Sequence, residues 1–223
     1  MLSIHIAEVF LMRNIMVINS KGGSGKSTVA TNLASYFASQ NKSVVLMDYD
    51  PQGSSMAWLA ARSSARPPIQ GIAASKKSAK RPSRNTDFVI HDAPAGMHGG
   101  ELSKMINKAQ TVLIPVLPSP IDMRAVVDFI AEIKKTAPVQ KKKAKLALIA
   151  NRSRDYTNIY WELDDLLSKQ RIPFLTMLRD SQNYIKAAEK GLGIFEMAPG
   201  ATELDREMWE PIIKWVKSKR SRP

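Results

Sequence analysis

The chain has 223 residues, 44% of them hydrophobic, enough for one compact domain with an ample core. Its 33 Lys and Arg against 20 Asp and Glu give a formal net charge of +13. That balance points to a polyanionic partner, either nucleic acid or an acidic membrane surface. The absence of cysteine excludes disulfides, thiolate metal sites and cysteine nucleophiles, and it fits a reducing cytoplasm.

The first stretch, residues 1–12, is mildly apolar but carries His5 and Glu8 and has no basic segment ahead of its apolar part. It does not read as a signal peptide. It reads as an extension, disordered or added to the sheet as a strand, ahead of a domain spanning 13–223. No apolar run approaches the roughly 20 residues needed to cross a bilayer. The run Ile15–Ile18 predicts a buried strand that enters a glycine-rich turn, Lys21–Ser27, and Thr28–Gln40 then shows helical spacing through Val29, Leu33, Tyr36 and Phe37. Further buried strands are expected at Ser43–Met47, ending at Asp48, and at Phe88–Ile90, ending at Asp92. Between them, residues 62–84 hold seven basic residues, no acidic one and three prolines, and read as an exposed, partly irregular excursion. Val112–Val116 predicts a strand followed by a helix over Met123–Lys135. Leu146–Ala150 predicts another, ending at Asn151 and followed by a helix over Ile159–Lys169. Ile172–Met177 is a sixth strand, a helix lies near Tyr184–Lys190, and residues 203–219 form a terminal helix.

Short apolar strands alternating with amphipathic helices predict an α/β fold: a single P-loop NTPase domain with a mostly parallel, twisted sheet and helices on both faces. Ligands of such sheets bind at the carboxyl ends of the strands. The glycine-rich turn, Asp48, Asp92 and Asn151 all fall there, so the pattern points to one site.

Gly22, Gly23, Ser24, Gly25, Lys26, Ser27 and Thr28 stand between a strand and a helix, the context a phosphate-binding loop requires. The glycines let backbone amides turn towards phosphate oxygens, and the helix dipole adds favourable potential for an anion. Lys26 is placed to reach the β and γ phosphates, and Ser27 to offer its hydroxyl to Mg²⁺.

The loop also begins with lysine, Lys21, giving KGGSGKST. This pattern resembles the deviant Walker A motif of the ParA/MinD superfamily, whose members partition plasmids, chromosomes, division sites and other cargo. Asp48-Tyr49-Asp50-Pro51-Gln52-Gly53 is similar to that family's DxDPQG segment, and His91–Gly96 to its Walker B segment, with Ala93 where many members have threonine. Pro115–Asp122 resembles the PxxPSPLD segment of small, ParF-like members, and Arg179–Ala188, Gly191 and Ile194–Glu196 follow the family's closing segment. The resemblance covers about residues 13–220, and small size and the double-proline segment lean towards the ParF-like or McdA-like branch.

It implies an ATPase that is slow without a partner and uses ATP and Mg²⁺. Lys21 would cross a dimer interface to the phosphates held by the partner, while Lys26 acts in cis. Asp50 would orient the attacking water, Asp48 help to organise the Mg²⁺ environment, Asp92 hold Mg²⁺ through water, and Asn151 contact adenine. The implied partners are a second copy in an ATP-dependent homodimer, non-specific DNA, and a small ParB-like or cargo-specific adaptor, in a cytoplasmic, nucleoid-associated protein. Cysteine-dependent relatives are excluded, and ATP-dependent ligases of similar fold give no reason for Lys21.

The cations for DNA would come from residues 62–84, from Lys134, Lys135, Lys141, Lys142, Lys143 and Lys145, and from Lys214, Lys217, Lys219, Arg220 and Arg222. A MinD-like membrane regulator is the alternative. It rests on the apolar face Met208, Trp209, Ile212, Ile213 and Val216 of the last helix, which is expected to pack on the sheet instead. His91 and His98 flank Asp92, but three histidines make no spaced metal cluster, and both are assigned to structure.

Overall fold

A computed structural model describes residues 12–74, 80–154 and 158–223. The expected extension, but for its last residue, and Lys76 and Lys77 lie outside the described residues. Seven strands form one sheet in the order β3-β2-β4-β1-β5-β6-β7. They are β1 (Arg13–Val17), β2 (Val44–Asp48), β3 (Gln70–Ala73), β4 (Phe88–Asp92), β5 (Thr111–Val116), β6 (Lys145–Ser153) and β7 (Phe174–Arg179). Every neighbouring pair is parallel. Chain order therefore requires crossovers, supplied by α1 (Lys26–Ser39), α2 (Ser54–Ala60), α3 (Gly99–Ile106), α4 (Pro120–Lys135), α5 (Ala137–Gln140) and α6 (Asn158–Ser168). Then follow α7 (Gln182–Glu189), a single 3₁₀ turn at Ile194–Glu196, and α8 (Pro199–Lys217).

The two-residue period of a strand explains why the sheet is buried on both sides. Ile15 and Val17 of β1 face one core, with Leu33 and Phe37 of α1 and Trp209, Ile212 and Val216 of α8. Met16 and the following Ile18 face the other, with Leu102 and Ile106 of α3 and Ile130 and Ile133 of α4. The apolar face of α8 thus lies in the core, where it serves packing and is not available to lipid. Beyond α8 the chain folds back. Arg13, buried at the start of β1, donates to Thr111 Oγ1 at 2.8 Å and Ser221 Oγ at 2.9 Å, and Thr111 donates to the Ser221 carbonyl at 2.7 Å. Among the described residues no helix is long and apolar enough to cross a membrane.

The segment read as an irregular excursion contains β3. This edge strand pairs with β2 alone, from Val45↔Gln70 to Asp48↔Ala73, and buries only Ile72 deeply. An edge strand of four residues needs no apolar run, which is why its pattern does not stand out. The side chain of Arg62, assigned with that segment to an exposed cationic stretch, is instead buried, 4% exposed. Its guanidinium makes a two-pronged pair with Glu196, at 2.6 and 2.8 Å, and donates to the Gly191 carbonyl at 2.9 Å. Two further boundaries move: the last strand runs to Arg179, and α8 begins four residues earlier than expected, with Pro199 in its first turn, where a missing N–H costs nothing.

Candidate nucleotide-binding site

β1 ends in the middle of the sheet, so the loop that follows it opens where the connections from neighbouring parallel strands leave in opposite directions, β1 towards β2 and β5 towards β6. Asn19 braces this loop: its Nδ2 donates to the Pro115 carbonyl at 2.7 Å, and its Oδ1 accepts the Lys21 amide at 3.1 Å. The Lys21 carbonyl in turn accepts Lys26 Nζ at 2.9 Å and Ser24 Oγ at 3.3 Å. Gly23 and Gly25 take φ values of 74° and 89°, a region open to glycine at little cost. At Gly25 space is restricted as well, because a Cβ would lie 1.9 Å from Asn151 Nδ2. No side chain caps the first turn of α1. Its free amides and positive dipole end therefore face the cradle, a ready site for an anion.

A cavity of about 550 Å³ opens over this loop. Gly22, Gly23, Gly25, Lys26, Ser27 and Thr28 of the phosphate loop line it, with Asp50, Asn151, Arg179, Tyr184 and Ile185, whereas Ser24 is 2% exposed and does not line it. The size suits a nucleotide. Asn151, expected to contact adenine, lines this cavity, and its side-chain amide donates to the Ser24 carbonyl at 2.9 Å, so it also anchors the loop to the end of β6. The helix expected near Tyr184–Lys190 is α7 (Gln182–Glu189), but its contribution to the wall has no local motif.

The two loop lysines part company. Lys26 is 7% exposed, and burial lowers its pKa while Asp92 and Asp50 act in the opposite direction. The Lys21 side chain is 37% exposed, and its ammonium lies 3.2 Å from Asp122 at the start of α4. Asp122 is itself held by Ser119, whose hydroxyl bonds its carboxylate while Oγ accepts the Asp122 amide at 3.2 Å.

Asp48 and Asp92 stand opposite each other in the β2–β4 register, each 1% exposed. Asp48 accepts three backbone amides, from Asp50 at 3.0 Å, Ser55 at 2.9 Å and Met56 at 3.1 Å. It thereby shapes the turn that presents Asp50, although burial still raises its pKa. Asp92 accepts the Ser55 hydroxyl at 2.7 Å, and burial pushes its pKa up to about 6, with hydrogen bonds from Ser55 and Ser27 acting in the opposite direction. A buried carboxylate beside a serine hydroxyl is a hard-oxygen donor set, the kind Mg²⁺ takes with phosphate oxygens and water completing its shell. Among the described residues there is no group of three or more His, Cys, Asp or Glu arranged around a metal ion.

His91, at the preceding position of β4, is 3% exposed. It bridges Tyr49 Oη at 3.2 Å and Asn14 Oδ1 at 3.0 Å, and burial holds its pKa down to about 3, so it stays neutral. His98 is exposed and pairs with Glu132 at 2.9 Å. Neither lines the cavity.

The position of Asp92 carries a stability prediction. Its folded pKa of about 6 exceeds the ordinary 3.8. Below 3.8 both states are protonated and the shift has no effect. Between 3.8 and 6 the unfolded chain ionises first, and above 6 the folded state carries the whole penalty, on the order of 3 kcal/mol. Asp92→Asn is therefore expected to raise the unfolding free energy of the metal-free, nucleotide-free protein by up to about that amount at pH 7.5. The gain should vanish near pH 4, as read by urea unfolding of both proteins in EDTA.

A P-loop, two strand-end aspartates and a central cavity in a seven-stranded parallel sheet define a nucleotide-binding domain of the P-loop class. The family model of the CobQ/CobB/MinD/ParA nucleotide-binding domain matches residues 15–194, and the chain belongs to that family. It is 28% identical over 192 residues to the maintenance of carboxysome distribution protein A of Halothiobacillus neapolitanus, covering 82% of this chain and 87% of that protein. Its fold is that of the Cyanothece McdA(D38A)–ATP complex, with a TM-score of 0.68 at 15% identity, covering 90% of this chain and 96% of that one. The Aquifex aeolicus MinC:MinD complex gives a TM-score of 0.70 at 14% identity, covering 93% and 97%.

Proposed function

We propose that the chain is an ATP-hydrolysing positioning switch. Mg-ATP in the cavity closes a homodimer, the dimer binds DNA without sequence preference, and a cargo-bound adaptor stimulates hydrolysis and so releases it. The observation that carries this reading is the divergence of the two loop lysines. Lys26 is turned into the cradle, whereas the Lys21 ammonium, one residue from Gly22, sits on Asp122 at the surface. ATP brings a charge near −4, which Lys26 and one divalent cation leave partly uncompensated. A second ammonium from a partner supplies the difference and makes association depend on the triphosphate. Lys21 has to leave Asp122 to do so.

Ser27 and Asp92 would hold Mg²⁺, which when bound draws charge from the β and γ phosphates. The chain's own residues do the rest. The loop amides and Lys26 hold the phosphates, Tyr184 and Ile185 exclude water from the base, and Asp50 lines the same cavity. From there it orients a water in line with the γ phosphate and accepts its proton. Asp48 holds the Asp50 turn in shape through three amides.

The relative named for carboxysome distribution supports a protein assembly as cargo, and the ParA resemblance a plasmid or chromosome region. The reading places the protein in the cytoplasm, on the nucleoid. Its cations for DNA are the exposed Lys80, Arg81, Arg84, Lys141, Lys142, Lys143, Lys214, Lys217 and Lys219. Retention on random-sequence duplex DNA tests this step. Binding should require ATP and fail with ADP. If each protomer neutralises about three phosphates, log K against log salt should fall with a slope near −5. Equal retention with and without nucleotide would refute the switch. Retention on anionic vesicles instead of DNA would favour a MinD-like membrane regulator.

A further inference from the structure

The first turn of α2 touches both strand-end carboxylates, and one residue makes the bridge. Ser55 is fully buried. Its amide donates to Asp48 Oδ2 at 2.9 Å and its hydroxyl to Asp92 Oδ2 at 2.7 Å, across the facing ends of β2 and β4. Asp48 is committed to backbone, since both of its oxygens accept amides. Asp92 also takes a hydrogen bond from the Ser27 side chain, so its two neighbours are serines from different elements: one from the phosphate loop and one from the helix that follows the Asp50 turn. A hydroxyl has one proton to give, and an ionised carboxylate only accepts. With Oδ2 taken by Ser55, the carboxylate can no longer turn freely, and its other oxygen is left without that tie. Packing alone would be served as well by alanine, which carries no polar group into the interior.

The geometry points to Ser55 as a positioning residue for the cation of this site. It fixes the rotation of the Asp92 carboxylate, and it ties α2, and through Gly53 the Asp50 turn, to whatever Asp92 holds. The inference rests on the reading that Asp92 carries the water shell of Mg²⁺. It adds a path by which occupancy at that shell reaches the segment presenting Asp50. Groups that hold a metal's ligands in place typically change metal affinity 10–100-fold when removed.

The test is a Mg²⁺ titration of binding of a fluorescent ATP analogue to the full chain. Ser55→Ala is expected to bind the analogue in EDTA as the parent does, but to need about tenfold more Mg²⁺ to reach the midpoint. Amide exchange over residues 54–58 in the nucleotide complex should be slowed by Mg²⁺ in the parent and not in the variant. A purely structural serine would lower the melting temperature and move neither readout. An unchanged Mg²⁺ midpoint, with exchange still responding to Mg²⁺, overturns the inference. Should Ser55→Ala not fold, Ser55→Cys, which nearly keeps the volume and weakens the donor, takes its place under the same criteria. Asp92→Ala separates this from the reading beneath it. If Asp92→Ala leaves the midpoint untouched, the cation does not depend on Asp92 and both fall. If it abolishes the Mg²⁺ response while Ser55→Ala has no effect, only the role of Ser55 falls.

Discussion

Lys26→Ala is expected to weaken ATP binding by between about 30-fold and several-thousand-fold, the equivalent of the roughly 2–5 kcal/mol lost when one member of a desolvated charge pair is truncated. The size follows from burial. Lys26 is 7% exposed and held in the cradle by the Lys21 carbonyl, so its ammonium meets the phosphates already stripped of most water. Its loss also leaves Asp92 and Asp50 without the cation that acts on both. Calorimetric titration with a slowly hydrolysed ATP analogue reads the effect. Affinity within threefold of the parent would show that the loop amides and helix dipole suffice, and would remove Lys26 from its role.

The second large effect falls on association and turnover while binding is spared. Lys21→Ala is expected to bind ATP nearly as the parent does, because the Lys21 carbonyl, which shapes the loop, survives the substitution and only the surface ammonium is lost. The ATP-dependent dimer should disappear in sedimentation, and hydrolysis should fall at least about a hundredfold, the scale for removing one donor aimed at developing phosphate charge. A variant that bound ATP poorly would instead place Lys21 among the cis ligands. One that dimerised and hydrolysed normally would leave the trans contact without support.

The parts of the site legible in the sequence are those made by consecutive residues. Gly22–Thr28 can be read because strand, loop, lysine, hydroxyl and helix occur in order, and the structure brings all of them but Ser24 to the cavity. Asp48 and Asp92 were legible as strand ends, since apolar runs stop at them and a parallel sheet gathers such ends on one side, and Asn151 as the point where the apolar run of β6 stops, although the strand itself continues to Ser153. What they touch was not. The hold of Asn151 on the Ser24 carbonyl spans 127 residues, and that of Ser55 on Asp92 spans 37. Contacts of that separation leave no spacing to detect. Arg62 shows the same limit. A run of cations suggested a solvated face, but its partner Glu196 lies 134 residues on. β3 stayed hidden for a different reason: one deeply buried side chain and one hydrogen-bonded edge impose almost no pattern.

The central claim is that each bound triphosphate is held by ammonium groups from two subunits, and mixing two inactive variants tests it most directly. Lys21→Ala and Asp50→Ala should each hydrolyse ATP negligibly alone. In a mixed dimer, the nucleotide held by the Lys21→Ala subunit meets its own Lys26 and Asp50 together with the partner subunit's Lys21, so one complete site is restored. Phosphate release from an equimolar mixture is expected to rise well above that of either variant alone, because each mixed dimer has one working site. A mixture as inactive as its components would contradict the account, because a lysine acting within its own subunit cannot be supplied by another.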